Sequence, residues 1–280
     1  MATPDEPAKE RIVVAVDASA ASLLALELAA DLAAALGTRL AGLYVEEEEL
    51  LHAAGLPFVR SVGAQSGLPT PFTPNDLERQ WRALASRARE TLMRIADTRQ
   101  LDWSFEVNRG PASEVLRAAS HGARLIGLGI GGRLSADPSV MAQAALRLVG
   151  TPLLLAPPRR FTGGRWVAVI DTAKDAPGVL ALAGSLSTLP APPALLMTHS
   201  MQTACQEQLQ SLAPTLSLIH LPENSDFRTV IAALRSCAAQ GVIVAAQSPL
   251  GQSTLLDRLL ASDNWAVLRV SPATAVPGDA

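Results

Sequence analysis

The feature that most constrains this chain is a short pattern it contains twice. Arg11-Ile12-Val13-Val14-Ala15-Val16-Asp17 is an apolar, β-branched run that closes on an acid. Arg165-Trp166-Val167-Ala168-Val169-Ile170-Asp171 repeats it. An unbroken apolar run reads as a strand covered on both faces, which occurs in parallel sheets flanked by helices. The segments downstream of each copy also correspond. Ser225 to Gln240, Gly241 and the run Val242 to Ala246 parallel Pro111 to Gly129. Trp265 to Val270 parallels the closing run Leu153 to Ala156. The duplication is domain-sized, about 120–150 residues, rather than the short period of a solenoid.

The first copy reads as alternating strands and helices. Ser19 caps a helix whose apolar face carries Leu24, Leu28 and Leu32, with Glu27 and Asp31 on the wet face and Gly37 as its stop. Arg39 to Val45 is a second strand. The segment 46–73, punctuated by Gly55, Pro57, Gly63, Gly67, Pro69 and Pro71, reads as a long loop of the kind that forms lids. Glu47 to Ala54 suits a short helix within it. Thr73-Pro74 opens a strong helix with the stripe Leu77, Trp81, Leu84, Ala88, Leu92 and Ile95, which places Trp81 in a core. Leu101 to Val107 alternates as an edge strand does. A helix from Gly110-Pro111 to Gly122, a strand from Arg124 to Gly129, a helix from Ser139 to Val149 and the strand Leu153 to Ala156 complete the half.

This βαβαβαβαβ order implies a doubly wound parallel sheet with right-handed crossovers. The stretch Pro157 to Gly164 reads as a linker. The expected organisation is therefore α/β and tandem: domain 1 over residues 1–158, domain 2 over 159–280, each a Rossmann-like five-stranded parallel sheet. Only the first carries the long 46–73 insertion.

Composition removes several function classes. Net charge is −3, with Lys and Arg scattered, so there is no basic stripe for nucleic acid. Glu46 to Glu49 is the one dense charge run and reads as a solvated helix start. Cys205 and Cys237 stand far apart, which fits free thiols in a reducing cytoplasm rather than a disulfide or zinc site. His52, His121, His199 and His220 show no ligand spacing, so no metal is expected. No apolar run approaches the roughly 20 residues of a membrane span.

In an open α/β sheet, ligands bind beyond the carboxyl ends of the strands, at the point where strand order reverses. Asp17 ends the first strand and Gly129 the fourth, so both border one predicted crevice. A helix starting near Ser139 aims its N-terminus there. Gly127-Leu128-Gly129-Ile130-Gly131-Gly132 matches G-x-G-x-x-G in letters only. That fingerprint belongs on the first strand–helix turn and needs an acid about 20 residues on. No Asp or Glu occurs between Pro138 and Ile170.

Ile12 to Ser19, Leu125 to Gly129, Ser139 to Arg147 and Thr151 to Leu155 together resemble the universal stress protein family. The resemblance covers nearly all of the first half and the second half more weakly. It implies a fold like that of the adenine nucleotide alpha hydrolases and a non-catalytic, cytoplasmic role in stress response or signalling. It also implies an adenine nucleotide (ATP, ADP or AMP) as ligand. On the family's pattern Asp17 and Val45 correspond to contacts with ribose and adenine. Gly129 and Gly132 correspond to the first two glycines of G-x2-G-x9-G-[ST]. Nine residues beyond Gly132 stand Ala142-Gln143, and aligning the helix instead puts Ser139-Val140 at the final pair. The phosphate side is thus incomplete. Ala245-Ala246-Gln247 replaces the glycines in the second half, which is expected to be structural. Two other readings stay open: an interaction scaffold that binds no nucleotide, and a weak ATPase. The resemblance further implies that Leu153 to Ala156 and Trp265 to Val270 pair within one chain as a built-in dimer; a homodimer is the other assembly it suggests.

Overall fold

The computed structural model describes residues 10–17, 19–56, 58–62, 69–71, 73–130, 144–147, 150–158, 164–211, 216–262 and 265–271. In the first half these form β1 (Arg11–Ala15), α1 (Ala20–Leu36), β2 (Arg39–Glu46), α2 (Glu48–Ala54), β3 (Arg60–Val62), β4 (Pro69–Pro71), α3 (Pro74–Thr98), β5 (Trp103–Arg109), α4 (Ala112–Ser120), β6 (Ala123–Gly129) and β7 (Leu153–Ala156). The strands of the second half are β8 (Arg165–Ile170), β9 (Ala194–Thr198), β10 (Ser217–Leu221), β11 (Ala239–Ala245) and β12 (Ala266–Val270). Its helices include Ala176–Ser185, Phe227–Ser236 and Ser253–Ser262.

One ten-stranded sheet holds both halves, in the order β10-β9-β8-β11-β12-β7-β6-β1-β2-β5. Within each half the strands are parallel, and the first strand of that half sits at the centre. This is the doubly wound order expected from the alternation. The two sheets are fused rather than separate: β7 and β12 pair antiparallel, Leu155 with Val267, Leu154 with Leu268 and Leu153 with Arg269. The pairing covers two edges that would otherwise present unsatisfied backbone groups. It also reverses strand direction, so the carboxyl ends of the two halves lie at opposite margins of the sheet.

Burial follows from the sequence runs. Ile12, Val14, Leu26, Leu32, Leu40 and Leu92 are fully enclosed on one face, and Val13, Ile126, Leu128, Leu153 and Leu155 on the other. The first of these cores is continuous across the seam, taking in Trp166, Ala168 and Leu268. Helix starts are capped as the sequence predicts. Ser19 Oγ accepts from Ser22 N–H at 3.2 Å. Thr73 and Asp76 form a reciprocal capping box at the start of α3, worth about 1 kcal/mol.

The short helix expected within segment 46–73 is present as α2. The rest departs from an open loop in holding a small antiparallel pair, Arg60 opposite Pro71 and Val62 opposite Pro69. β5 also begins later than expected and runs on to Arg109, because it follows β2 in register to Glu46.

Candidate functional site

The site begins where β1 ends. The Asp17 N–H donates to Ser22 Oγ at 3.3 Å, and Asp17 Oδ1 accepts from Ser19 N–H at 2.9 Å. Ser22 Oγ in turn donates to the Ser19 carbonyl at 3.1 Å. This knot fixes the strand-to-helix turn with Asp17 exposed on it. One carboxylate oxygen serves the helix cap; the other has no hydrogen-bond partner among the described residues.

Gly129 ends β6 directly against that turn. A Cβ there would lie 2.3 Å from Ser22 N and 2.4 Å from the Ala21 carbonyl carbon. The glycine is therefore required by close strand–helix packing, before any question of a ligand arises.

Val45 contributes through its backbone. The Leu43 carbonyl accepts from Val16 N–H at 2.9 Å on the β1 side, and the Glu46 carbonyl accepts from Gly110 N–H at 3.1 Å on the β5 side. Backbone groups alternate sides along a strand, so Val45 points its N–H and C=O toward β1. But β1 ends at Ala15 and the chain turns into α1 at Ala20. Among the described residues, neither group of Val45 has a backbone partner on that side.

These three residues line one cavity of about 350 Å³, with Ser22, Tyr44, Glu47, Leu50, Leu77, Gln80, Trp81, Leu84 and Leu128. It stands at the reversal point between β6 and β1, and its size is at the small end for ligand pockets. Asp17, Val45 and Gly129 are brought together. Gly132, Ser139 and Val140 lie outside the described residues.

Most of the far wall escaped the sequence reading. Trp81 is core, at 5% exposure, yet its stripe with Leu77 and Leu84 also faces the cavity. Tyr44, immediately before Val45, turns to the α3 face and packs with Leu77 and Trp81. The available signal was the helical stripe itself, at i, i+4 and i+7.

The acidic run is only partly solvated, contrary to expectation. Glu46 is drawn into an ion pair: Arg109 Nη2 donates to Glu46 Oε2 at 2.8 Å and to Glu78 Oε1 at 3.4 Å. The Arg109 guanidinium also lies 5.9 Å from the Trp81 ring centroid, so β2, β5 and α3 are tied together beside the cavity. Burial, and then the neighbouring Glu49, raise the Glu47 carboxyl above its ordinary value. Burial, Glu46 and Asp17 push the Tyr44 phenol up to about 12. The hydroxyl therefore keeps its proton and acts as a donor near neutral pH.

The second half fills the corresponding place with its own chain. Asp171 matches Asp17 and Ala245 matches Gly129 in the paired strand registers. There Ser248 and Leu250, at 1% and 5% exposure, fold back over the strand ends through a 3-10 turn, Pro249–Gly251. Ser248 Oγ donates to the Ala245 carbonyl at 2.9 Å. Arg269 Nε donates to the Gly251 carbonyl at 3.1 Å. Asp171 is half-buried beneath this turn, with its Oδ2 enclosed, and this burial raises its carboxyl above the ordinary value despite opposing help from Ser248 and the Leu250 N–H.

Elsewhere, Cys205 and Cys237 are free thiols. No group of three or more metal-binding side chains gathers among the described residues. No helix there is long and apolar enough to cross a membrane.

A sequence profile of the universal stress protein family matches residues 9–137. Among curated protein sequences, none matches the chain. A universal stress protein from Archaeoglobus fulgidus is similar in structure over 95% of this chain and 99% of its own, with TM-score 0.67 and 12% identity. A protein of that family from Burkholderia pseudomallei covers 55% of this chain and 99% of its own, at 22% identity and TM-score 0.37. A universal stress protein solved in complex with cAMP covers 53% of this chain and 97% of its own, at 19% identity and TM-score 0.36.

Proposed function

We propose, from the match of residues 9–137 to the universal stress protein family, that the first half of this chain holds an adenine-type ligand without turning it over. The observation that carries this reading is the meeting of three different groups at one cavity. Val45 offers an in-plane N–H and C=O, a pair suited to the edge of a purine. Asp17 offers a carboxylate oxygen to ribose hydroxyls. Leu77, Trp81 and Leu84 supply an apolar wall for the ring.

The second half serves as scaffold in this reading. Its strand ends are covered by residues 248–251, and its β12 gives β7 the partner strand that a second copy would otherwise supply. The resulting role is that of a ligand-responsive protein of stress response or signalling, acting in the cytoplasm, with ATP, ADP, AMP or adenosine as the ligand to be tested.

Titration calorimetry of the full chain with these four compounds, alongside a phosphate-release assay with ATP, tests the reading. Heat of binding with at least one compound and no turnover is expected. Absence of heat with all four at millimolar concentration would sink it. A scaffold that binds no nucleotide is the second reading. It is favoured by Leu50, Leu56, Phe58 and Val62, which are 51%, 45%, 75% and 64% exposed on segment 46–73.

A further inference from the structure

We propose that the first-half cavity selects the unphosphorylated purine nucleoside over the nucleotide, with Tyr44 and Asp17 reading the ligand and the acidic mouth turning phosphate away. The inference rests on the adenine-type reading and narrows it to one ligand class.

Charge is the first observation. The described residues lining the cavity include two carboxylates, Asp17 and Glu47, and no Lys, Arg or His. Arg109 is held by Glu46 and Glu78. Arg147 lines a neighbouring hollow together with Glu47, Glu48 and Glu49. A phosphate entering here meets like charge in a partly enclosed space, where screening is weak.

The second observation is a polar group with capacity to spare. Tyr44 is 4% exposed, lines the cavity, and its hydroxyl makes no hydrogen bond to a described residue. It is a proton donor, so it asks for a ring nitrogen or an ether or hydroxyl oxygen. Asp17 asks for a donor, which a ribose hydroxyl provides. Val45 supplies one of each kind. These polar groups are all matched by a nucleoside, and none is matched only by a phosphate.

The third observation is in the sequence. The phosphate-binding pattern of the family is broken, with Ala142-Gln143 where Gly-[ST] is required.

Titration calorimetry of the full chain with adenosine, AMP and Mg-ATP at low ionic strength decides the matter. Adenosine is expected to bind at least tenfold more tightly than Mg-ATP. Tyr44→Phe keeps the packing and is expected to weaken adenosine by about three- to tenfold, with an unchanged thermal midpoint. Asp17→Asn with Glu47→Gln should narrow the gap between adenosine and ATP. Mg-ATP binding as tightly as adenosine, or more tightly, overturns the inference while leaving the adenine-type reading intact. No binding of any of the three defeats that reading, and this inference with it. Unchanged adenosine affinity in Tyr44→Phe removes Tyr44 from the site.

Discussion

Gly129→Ala is the sharpest test of how the site is built. The added Cβ would stand 2.3 Å from Ser22 N, 2.4 Å from the Ala21 carbonyl carbon and 2.8 Å from the Ala21 oxygen. Ordinary contact is about 3.5–4.0 Å, so the overlap exceeds roughly 1 Å. All three atoms belong to the backbone of the first turn of α1 and cannot rotate away. The helix cannot slide easily, because Ala25, Leu26, Ala29 and Ala30 are fully buried along it. Overpacking costs about 1–3 kcal/mol, and a rigid obstacle puts this case near 3 kcal/mol. At about 2–4 °C per kcal/mol the thermal midpoint should fall by roughly 6–12 °C. Gly127→Ala is the control. Its Cβ would meet Val14 Cγ2 at 3.3 Å, a methyl that can turn aside, so less than about 1 kcal/mol is expected. Thermal denaturation followed by circular dichroism measures both. A Gly129→Ala midpoint within about 1 °C of the parent, or a Gly127→Ala loss as large, would refute the close-packing account. Ligand affinity in Gly129→Ala should fall too, since Asp17 and Ser22 ride on the displaced turn.

Tyr44 is the only tyrosine in the chain, so phenolate absorbance reports on it alone. With its phenol pushed up to about 12, the folded protein should show little phenolate at pH 10 and the unfolded protein about half. Stability from this group is full below about pH 10 and lost as pH rises through the folded value; native phenolate at pH 10 would contradict it. Asp171 has a raised folded pKa from burial, so its stabilising protonated form is lost as pH rises from about 4. Urea midpoints of Asp171→Asn relative to the parent should therefore improve between pH 4 and pH 7, and a flat difference would count against the buried carboxyl. Thr73→Ala should lower stability by about 1 kcal/mol in urea titrations through loss of the α3 capping box. No measurable change would mean that the exposed cap is replaced by water.

The fold was legible because strands covered on both faces must be continuous apolar runs. Ile12 to Val16 and Val167 to Ile170 have no other use for such sequences. Ser19 and Thr73 were legible because an exposed helix start needs a side-chain acceptor. Asp17 stood out as the acid that stops a buried run. Tyr44, Trp81 and Leu84 did not, because a helical stripe looks the same whether it covers a sheet or a cavity. The β3–β4 pair was hidden by Pro69 and Pro71, which lack the N–H a strand normally donates. In the second half the lost glycines were visible, but the inward fold of Ser248 to Gly251 depends on the Arg269 contact, which no local pattern announces.

The seam between β7 and β12 has a consequence for how the two halves can change. In a two-fold dimer of one repeated domain, every substitution at the interface appears twice, once in each copy. Here Leu155 and Arg269 hold matching places, beside Leu128 and Val244, yet they differ. A leucine on one side and an arginine on the other is an arrangement no symmetric seam can hold, since a second arginine would stand in place of Leu155. Joining the copies in one chain frees each position to follow its own course. Arg269 has used that freedom to latch a turn over one set of strand ends.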